Sequence, residues 1–283
     1  MRFGVPARLG LFALGLLAVF GAAAALGVGV HPGQPGHSGG GEMSGMKGMG
    51  GAMGVVVNDG SYAITPATFQ VTPGRPATLS FTIVDQKGRV VRDGFEIEAE
   101  RRLHLIVARR DLTGYQHLHP TQAGDGTWST PLTVTQAGAY RVFADFQRDG
   151  VKHVLAADLT VPGTYVPEPL PAPTAATATD GFEITLEHQQ LRAGQEGDLD
   201  FTVSRDGRPV EAIEPYLGAR GHLVALREGD VAYLHVHPHD GHQQAGVVPF
   251  AADFVSAGNY RLFLQFQVAG VVHTAAFTVE VTP

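Results

Sequence analysis

The chain contains no cysteine. That excludes disulfides, thiolate metal sites and cysteine nucleophiles, and leaves the compartment open. Methionine is nearly as restricted: beyond Met1 it occurs at Met43, Met46, Met49 and Met53 and nowhere after them. Positive charge is also short. Against 27 Asp and Glu stand 20 Lys and Arg, a formal charge of −7, so there is no basic footprint for nucleic acid. Neither of the long segments after residue 54 shows an extended helical period. There is no nucleophile elbow, phosphate loop or HExxH motif, and an enzyme is not expected.

Glycine (37) and proline (18) are plentiful. Apolar and polar residues alternate in "ATLSFTIV", "YRVFADF" and "AAFTVEV", which predicts short strands joined by turns. The expected fold class is all-β, with two tandem immunoglobulin-like β-sandwich domains behind an N-terminal helix and a disordered tail. Residues 1–30 read as a signal peptide or membrane anchor: Arg2 and Arg8 precede an uncharged run from Leu9 to Val30, long enough as a helix to cross a bilayer. The small residues Ala22 to Ala25 also offer a cleavage site. Either outcome predicts an extracytoplasmic chain, anchored with its N-terminus inside or secreted. Residues 31–54, rich in Gly, Met and His, lack apolar periodicity and read as disordered. Two sandwiches follow at 55–161 and 180–283, with a proline-rich spacer at 162–179.

The two sandwich segments are repeats. In "LHLIVARRDLTGYQHLHP" and "GHLVALREGDVAYLHVHP", His104, Tyr115, His117 and His119 match His222, Tyr233, His235 and His237 at a constant offset of 118. Farther on, "QAGAYRVFADFQRDGVKHVLAADLTV" matches "SAGNYRLFLQFQVAGVVHTAAFTVEV" at an offset of 120. Tyr140 and Tyr260 follow a turn at a strand start, where a tyrosine corner is expected.

Each repeat therefore carries His-x12-His-x-His-Pro. In the second, a two-residue Gly229-Asp230 hairpin loop would pair Leu226 with Tyr233, Val224 with His235 and His222 with His237. Opposed residues and residues two apart share a face. His222, His235 and His237 would then converge, and the same count sets His104 opposite His119 with His117 alongside. Three neutral imidazoles without thiolate suit Cu(II) or Zn(II). His222 and His237 as cross-strand neighbours with open access to solvent is the condition on which the ligand cluster stands. His239, Asp240 and His242 lie just beyond on a loop, and the matched pair His153 and His273 offers further candidates. The competing reading is that the histidines hydrogen-bond one another, Tyr115 or Tyr233, and backbone. Apolar residues occupy both faces of these strands, so the pattern does not say which face meets the core.

From "HLIVARRDLTGYQHLHP" and "TWSTPLTVTQAGAYRVFADF" to "YLGARGHLVALREGDVAYLHVHP" and "AGNYRLFLQFQVAGVVHTAAFTVEV", the chain resembles a group of bacterial exported proteins often labelled heavy-metal-associated. It is similar, more loosely, to YtkA-like domains. The resemblance implies tandem sandwiches, secretion or anchoring, and a metal connection. It carries His104, His117, His119, His222, His235 and His237 as the candidate ligands.

In the tail, Met43, Met46, Met49 and Met53 offer thioether sulfurs, soft ligands that favour Cu(I), and His31 and His37 could take Cu(II). A low-complexity spacer is the alternative. The expected function is extracytoplasmic metal binding, with copper sequestration, delivery or resistance as its purpose. The expected partners are the metal ion and, if the helix is uncleaved, the membrane, with no nucleic acid; a protein partner is left open. The alternative is a structural or adhesive tandem interaction module with no metal role.

Overall fold

The computed structural model describes residues 55–283, apart from 69, 235 and 240–243. The expected N-terminal helix, the tail with Met43, Met46, Met49 and Met53, and His235, Asp240 and His242 lie outside the described residues. Among the described residues no helix is long and apolar enough to cross a membrane.

The described residues form an all-β chain. The first repeat contributes β1 (Tyr62–Pro66), β2 (Ala77–Asp85), β3 (His104–Arg109), β4 (Gln116–Leu118), β5 (Thr121–Gln122), β6 (Trp128–Leu132), β7 (Gly138–Arg148) and β8 (Val151–Val161). The second contributes β9 (Ala176–Thr179), β10 (Phe182–Glu187), β11 (Gln195–Arg205), β12 (Arg208–Pro209), β13 (His222–Arg227), β14 (Tyr233–Leu234), β15 (Val236–Pro238), β16 (Val247–Phe254), β17 (Gly258–Val268) and β18 (Val271–Val281).

Each repeat is a sandwich of two sheets. In the first, β1-β2-β6-β5 faces β4-β3-β7-β8; in the second, β15-β16-β11-β10-β9, with β12 on β11, faces β14-β13-β17-β18. Along the chain, successive groups of strands alternate between the two sheets, β1-β2 then β3-β4 then β5-β6 then β7-β8 in the first repeat. Both tyrosine corners form: the Tyr140 hydroxyl donates to the Gln136 carbonyl at 3.0 Å, and the Tyr260 hydroxyl to the Ser256 carbonyl at 2.9 Å.

Burial separates outer from inner sheets. β10 alternates strictly, with Phe182, Ile184 and Leu186 buried and their neighbours exposed. All six residues of β3 are buried, and so are the four central residues of β13. The reason is a third core. Besides one core within each sandwich, Ile106, Ala108, Phe143 and Val154 pack with Val224, Leu226, Tyr233 and Phe263 between the repeats. The two inner sheets are stacked on each other. Apolar residues on both faces of these strands therefore serve two cores, one inside the sandwich and one outside it.

Candidate metal centre at the junction of the repeats

The first-repeat hairpin runs in register, with Leu105 opposite Leu118, Ile106 opposite His117 and Val107 opposite Gln116. One step further along, His119 is level with His104. A bulged turn achieves this. The Leu112 amide donates to the Arg109 carbonyl and the Arg109 amide to the Thr113 carbonyl, with Leu112 in the left-handed region at φ 64°. Asp111 accepts from the Thr113 hydroxyl at 2.8 Å and pairs with Arg109, which stiffens the loop.

In the second repeat the expected two-residue loop does not form. Its turn is wider: the Val231 amide donates to the Arg227 carbonyl, and both Gly229 and Val231 have positive φ. The register near it still pairs Leu226 with Tyr233. The expected pairing of His222 with His237 is overturned. Val236 to Pro238 cross to the other sheet, where His237 is opposite Ala251 and exposed. In the first repeat Leu118, the counterpart of Val236, still pairs with β3; the second-repeat chain changes sheets earlier. His222 and His237 therefore do not meet in the expected hairpin cluster.

The repeats instead meet in a single composite cluster. Ring nitrogens of His104, His117 and His222 lie within 4.8 Å of one another. The His222 ring stacks against His117 at 4.6 Å and His104 at 5.5 Å, and His119 sits 4.7 Å from His117 and 5.2 Å from His104 between ring centroids. The flanking packing repeats the internal duplication: Tyr115 of the first repeat stacks on Phe263 at 4.0 Å, and Tyr233 of the second packs on Phe143 at 5.7 Å.

Proton placement in this cluster is informative. His104 Nε2 lies 3.0 Å from the Glu98 carbonyl oxygen, which can only accept, so Nε2 carries the proton and Nδ1 a lone pair. His117 Nδ1 lies 2.7 Å from Gln265 Oε1 and donates to it, leaving Nε2 with a lone pair. Yet His104 Nδ1 and His117 Nε2 are 3.0 Å apart. Two lone pairs point at each other. Either a cation accepts both, or the Gln265 amide turns over and His117 changes tautomer. The amide nitrogen holds only Thr274 Oγ1, at 3.4 Å, so that turn is inexpensive.

A proton is a poor bridging cation here. Burial pushes His117 well below the usual imidazole range, and the neighbouring imidazoles push it further. Burial and His104 lower His119 to about 4 and His222 to about 3. Burial also lowers His104, against the opposing pull of Glu98 and Asp145. All four rings are neutral at neutral pH and carry available lone pairs. Among the described residues, His119 Nε2 and His222 Nε2 are buried without a hydrogen-bond partner. Two nitrogens bound to one ion at ~2.0–2.1 Å would be about 2.9–3.4 Å apart, so the His104–His117 spacing matches shared coordination once the two rings tilt from facing to convergent.

The surroundings hold the ligands in place. Glu98 closes a tight turn on Arg101, with Ala99 and Glu100 both left-handed at φ 43° and 64°. Consecutive non-glycine residues in this region are strained, and here the turn presents the carbonyl that fixes His104. Asp145 stands opposite His104, and Gln265 opposite His222, at matching positions of the repeats. The signal for them was in the sequence: a polar residue interrupts the apolar run in both "YRVFADF" and "YRLFLQF", on the histidine face.

His153 and His273 belong elsewhere. His153 Nδ1 is 2.6 Å from Asp59 Oδ2, and His273 Nδ1 is 2.8 Å from Asp180 Oδ2. The rings pack on Phe146 and Phe266. They tie the start of each repeat to its last strand. His239 lines a cleft beside the cluster.

The solved structures with similar folds are distant. An Escherichia coli adhesin, FdeC, is 17% identical over 78% of this chain and 64% of its own, with a TM-score of 0.27. A Salmonella alpha-2-macroglobulin mutant is 12% identical over 82% and 15%, with a TM-score of 0.28. Domains 4 and 5 of the S-layer protein SbsC are 10% identical over 78% and 98%, with a TM-score of 0.24. This chain thus spans less than two thirds of the adhesin and macroglobulin chains, and likenesses this low carry no functional argument. No curated protein matches the chain significantly. One family model matches twice, over residues 55–163 and 176–283, and no heavy-metal-associated family is shown. The chain belongs to that family, described as Domain of unknown function (DUF8832), and carries two copies of its domain.

Proposed function

We propose that the protein is an extracytoplasmic metal-binding protein whose central site is shared by its two repeats and takes a divalent ion, Cu(II) or Zn(II). The observation that carries this is the facing pair of lone pairs on His104 and His117, 3.0 Å apart, with their outer nitrogens anchored to a carbonyl and an amide. Metal-bound histidines are held in this way. His222 from the second repeat and His119 at the strand end supply the further nitrogens, and no thiolate or carboxylate competes among them. Copper is favoured as cargo because the four tail methionines suit Cu(I). The role is sequestration or delivery rather than turnover. The basic-then-apolar N-terminus supports export.

Titration of the full chain with Cu(II), Cu(I) and Zn(II), read by calorimetry and native mass spectrometry, tests this. Binding no tighter than that of free amino acids sinks it.

A second reading draws on the Gln265 side chain. With its amide reversed, an unbroken hydrogen-bond chain runs from Gln265 through His117 and His104 to Glu98. The cluster would then be polar cement in a tandem structural or adhesive module. On that reading His117→Ala destabilises the junction and leaves metal content unchanged.

A further inference from the structure

His104 is buried and His117, His119 and His222 are half-buried, but His119 Nε2 and His222 Nε2 are themselves shielded from solvent, so an ion needs a way to these nitrogens. Beside it lies a cavity of about 70 Å³, lined by His104, His222, Glu98, Asp145, Lys152 and Tyr233, among others. The cavity shares Glu98, Gly221 and Phe250 with a larger cleft of about 800 Å³. Glu100 and Glu211 also line that cleft, with Arg220 as its only arginine or lysine among the described residues.

The polar atoms of the cavity are mostly acceptors. Asp145 is 3% exposed, and its Oδ1 has no hydrogen-bond partner among the described residues. Glu98 Oε2 and His222 Nε2 are likewise buried and unpartnered. The cation present is Lys152, whose ammonium sits 3.0 Å from Glu98 Oε1 and 3.5 Å from Asp145 Oδ2. Burial raises the Asp145 carboxyl and the Lys152 ammonium opposes this; with both carboxyls ionised, the pair outweighs the one ammonium and draws a second cation. The three unpartnered acceptors do not form a close ligand set with one another, because the only such set among the described residues is His104, His117 and His222. They suit passage better than residence.

We propose that divalent cations reach the histidine cluster through this cleft and cavity, with the Glu98 and Asp145 carboxylates as transit ligands and Lys152 as the charge that holds their place until an ion arrives. This rests on the metal-binding reading of the cluster. The cargo of the route is a hydrated or weakly complexed ion, since the cavity is too small for a larger carrier molecule. Glu100 and Glu211 concentrate such ions at the mouth.

The test is stopped-flow uptake of Zn(II) by the full chain, monitored with a chromophoric chelator, alongside the equilibrium affinity. Glu98→Gln keeps the carbonyl that anchors His104 and should load about tenfold more slowly, the lower end of what electrostatic focusing supplies. The double variant Glu100→Gln/Glu211→Gln changes only exposed residues, so it folds regardless. It should load a few-fold more slowly with unchanged affinity. Lys152→Met should load faster than wild type. Wild-type rates in both glutamine variants, or slower loading in Lys152→Met, overturn the route and leave the site standing. If wild type takes up no Zn(II), the site itself falls, and the route with it.

Discussion

The two histidine hairpins began as copies and now do different work. The first holds its register to the end, so His117 and His119 stay with His104 on the face toward the second repeat. Among the described residues the second shows that register in two pairs, and Val236 to Pro238 then lie on the opposite sheet, with His237 at the surface. Of the second repeat's described histidines, only His222 joins the close ligand set at the junction. Duplication here has produced one composite centre to which the two halves contribute unequally. The lesson concerns interfaces: once the inner sheets stacked, a side chain's value depended on what faced it from the other repeat.

The comparison can be broken most severely at the junction core. Phe143 is fully buried there and Phe263 nearly so. Phe143→Ala should cost about 3–5 kcal/mol in denaturant unfolding, with Phe263→Ala close behind. A small loss in both would mean that the repeats do not depend on each other.

Unequal hairpins predict unequal metal effects. His117→Ala should weaken Zn(II) binding at least as much as removing an outer partner, which costs about 10–100-fold. Gln265→Leu, which removes that partner, should fall within this range. His237→Ala should leave affinity within about threefold of wild type, because a ligand role is what those losses measure. Calorimetric titration of the three variants gives the ranking directly.

Acid sharpens the comparison next. His119 and His222 are held near 4 and 3 in the fold, below their unfolded value of about 6.5. Between those limits the unfolded chain binds protons that the folded chain refuses, so stability is full above about pH 6.5 and is lost as the pH falls toward the folded values. Metal-free protein should lose on the order of a few kcal/mol by about pH 4. Removing both rings should flatten that slope. The smallest effect belongs to the two latches: His153→Ala or His273→Ala should cost about 1–3 kcal/mol and leave metal binding unchanged.

Much of this was legible in the sequence. Alternation and turns gave the sandwiches, and the tyrosines marked their corners. A two-residue count put His104 level with His119 even though "RDLT" folds as a bulged turn rather than the loop that count assumed. What could not be read was long-range. Nothing local distinguishes Leu118, which stays on β3, from Val236, which leaves β13; the neighbouring sheet decides. Apolar residues on both faces of "HLIVA" and "HLVAL" looked ambiguous because each face had its own core. A pattern within one repeat could not reveal that His104 and His222 would stack against each other.

The central claim is one ion held jointly by both repeats. Native mass spectrometry of the full chain with Zn(II), a metal for which thioethers have little affinity, tests it most directly, using wild type, His117→Ala and His222→Ala. The account predicts one tightly bound ion per chain, lost in either variant. Two tight ions in wild type, or a tight ion retained after His222→Ala, would contradict it.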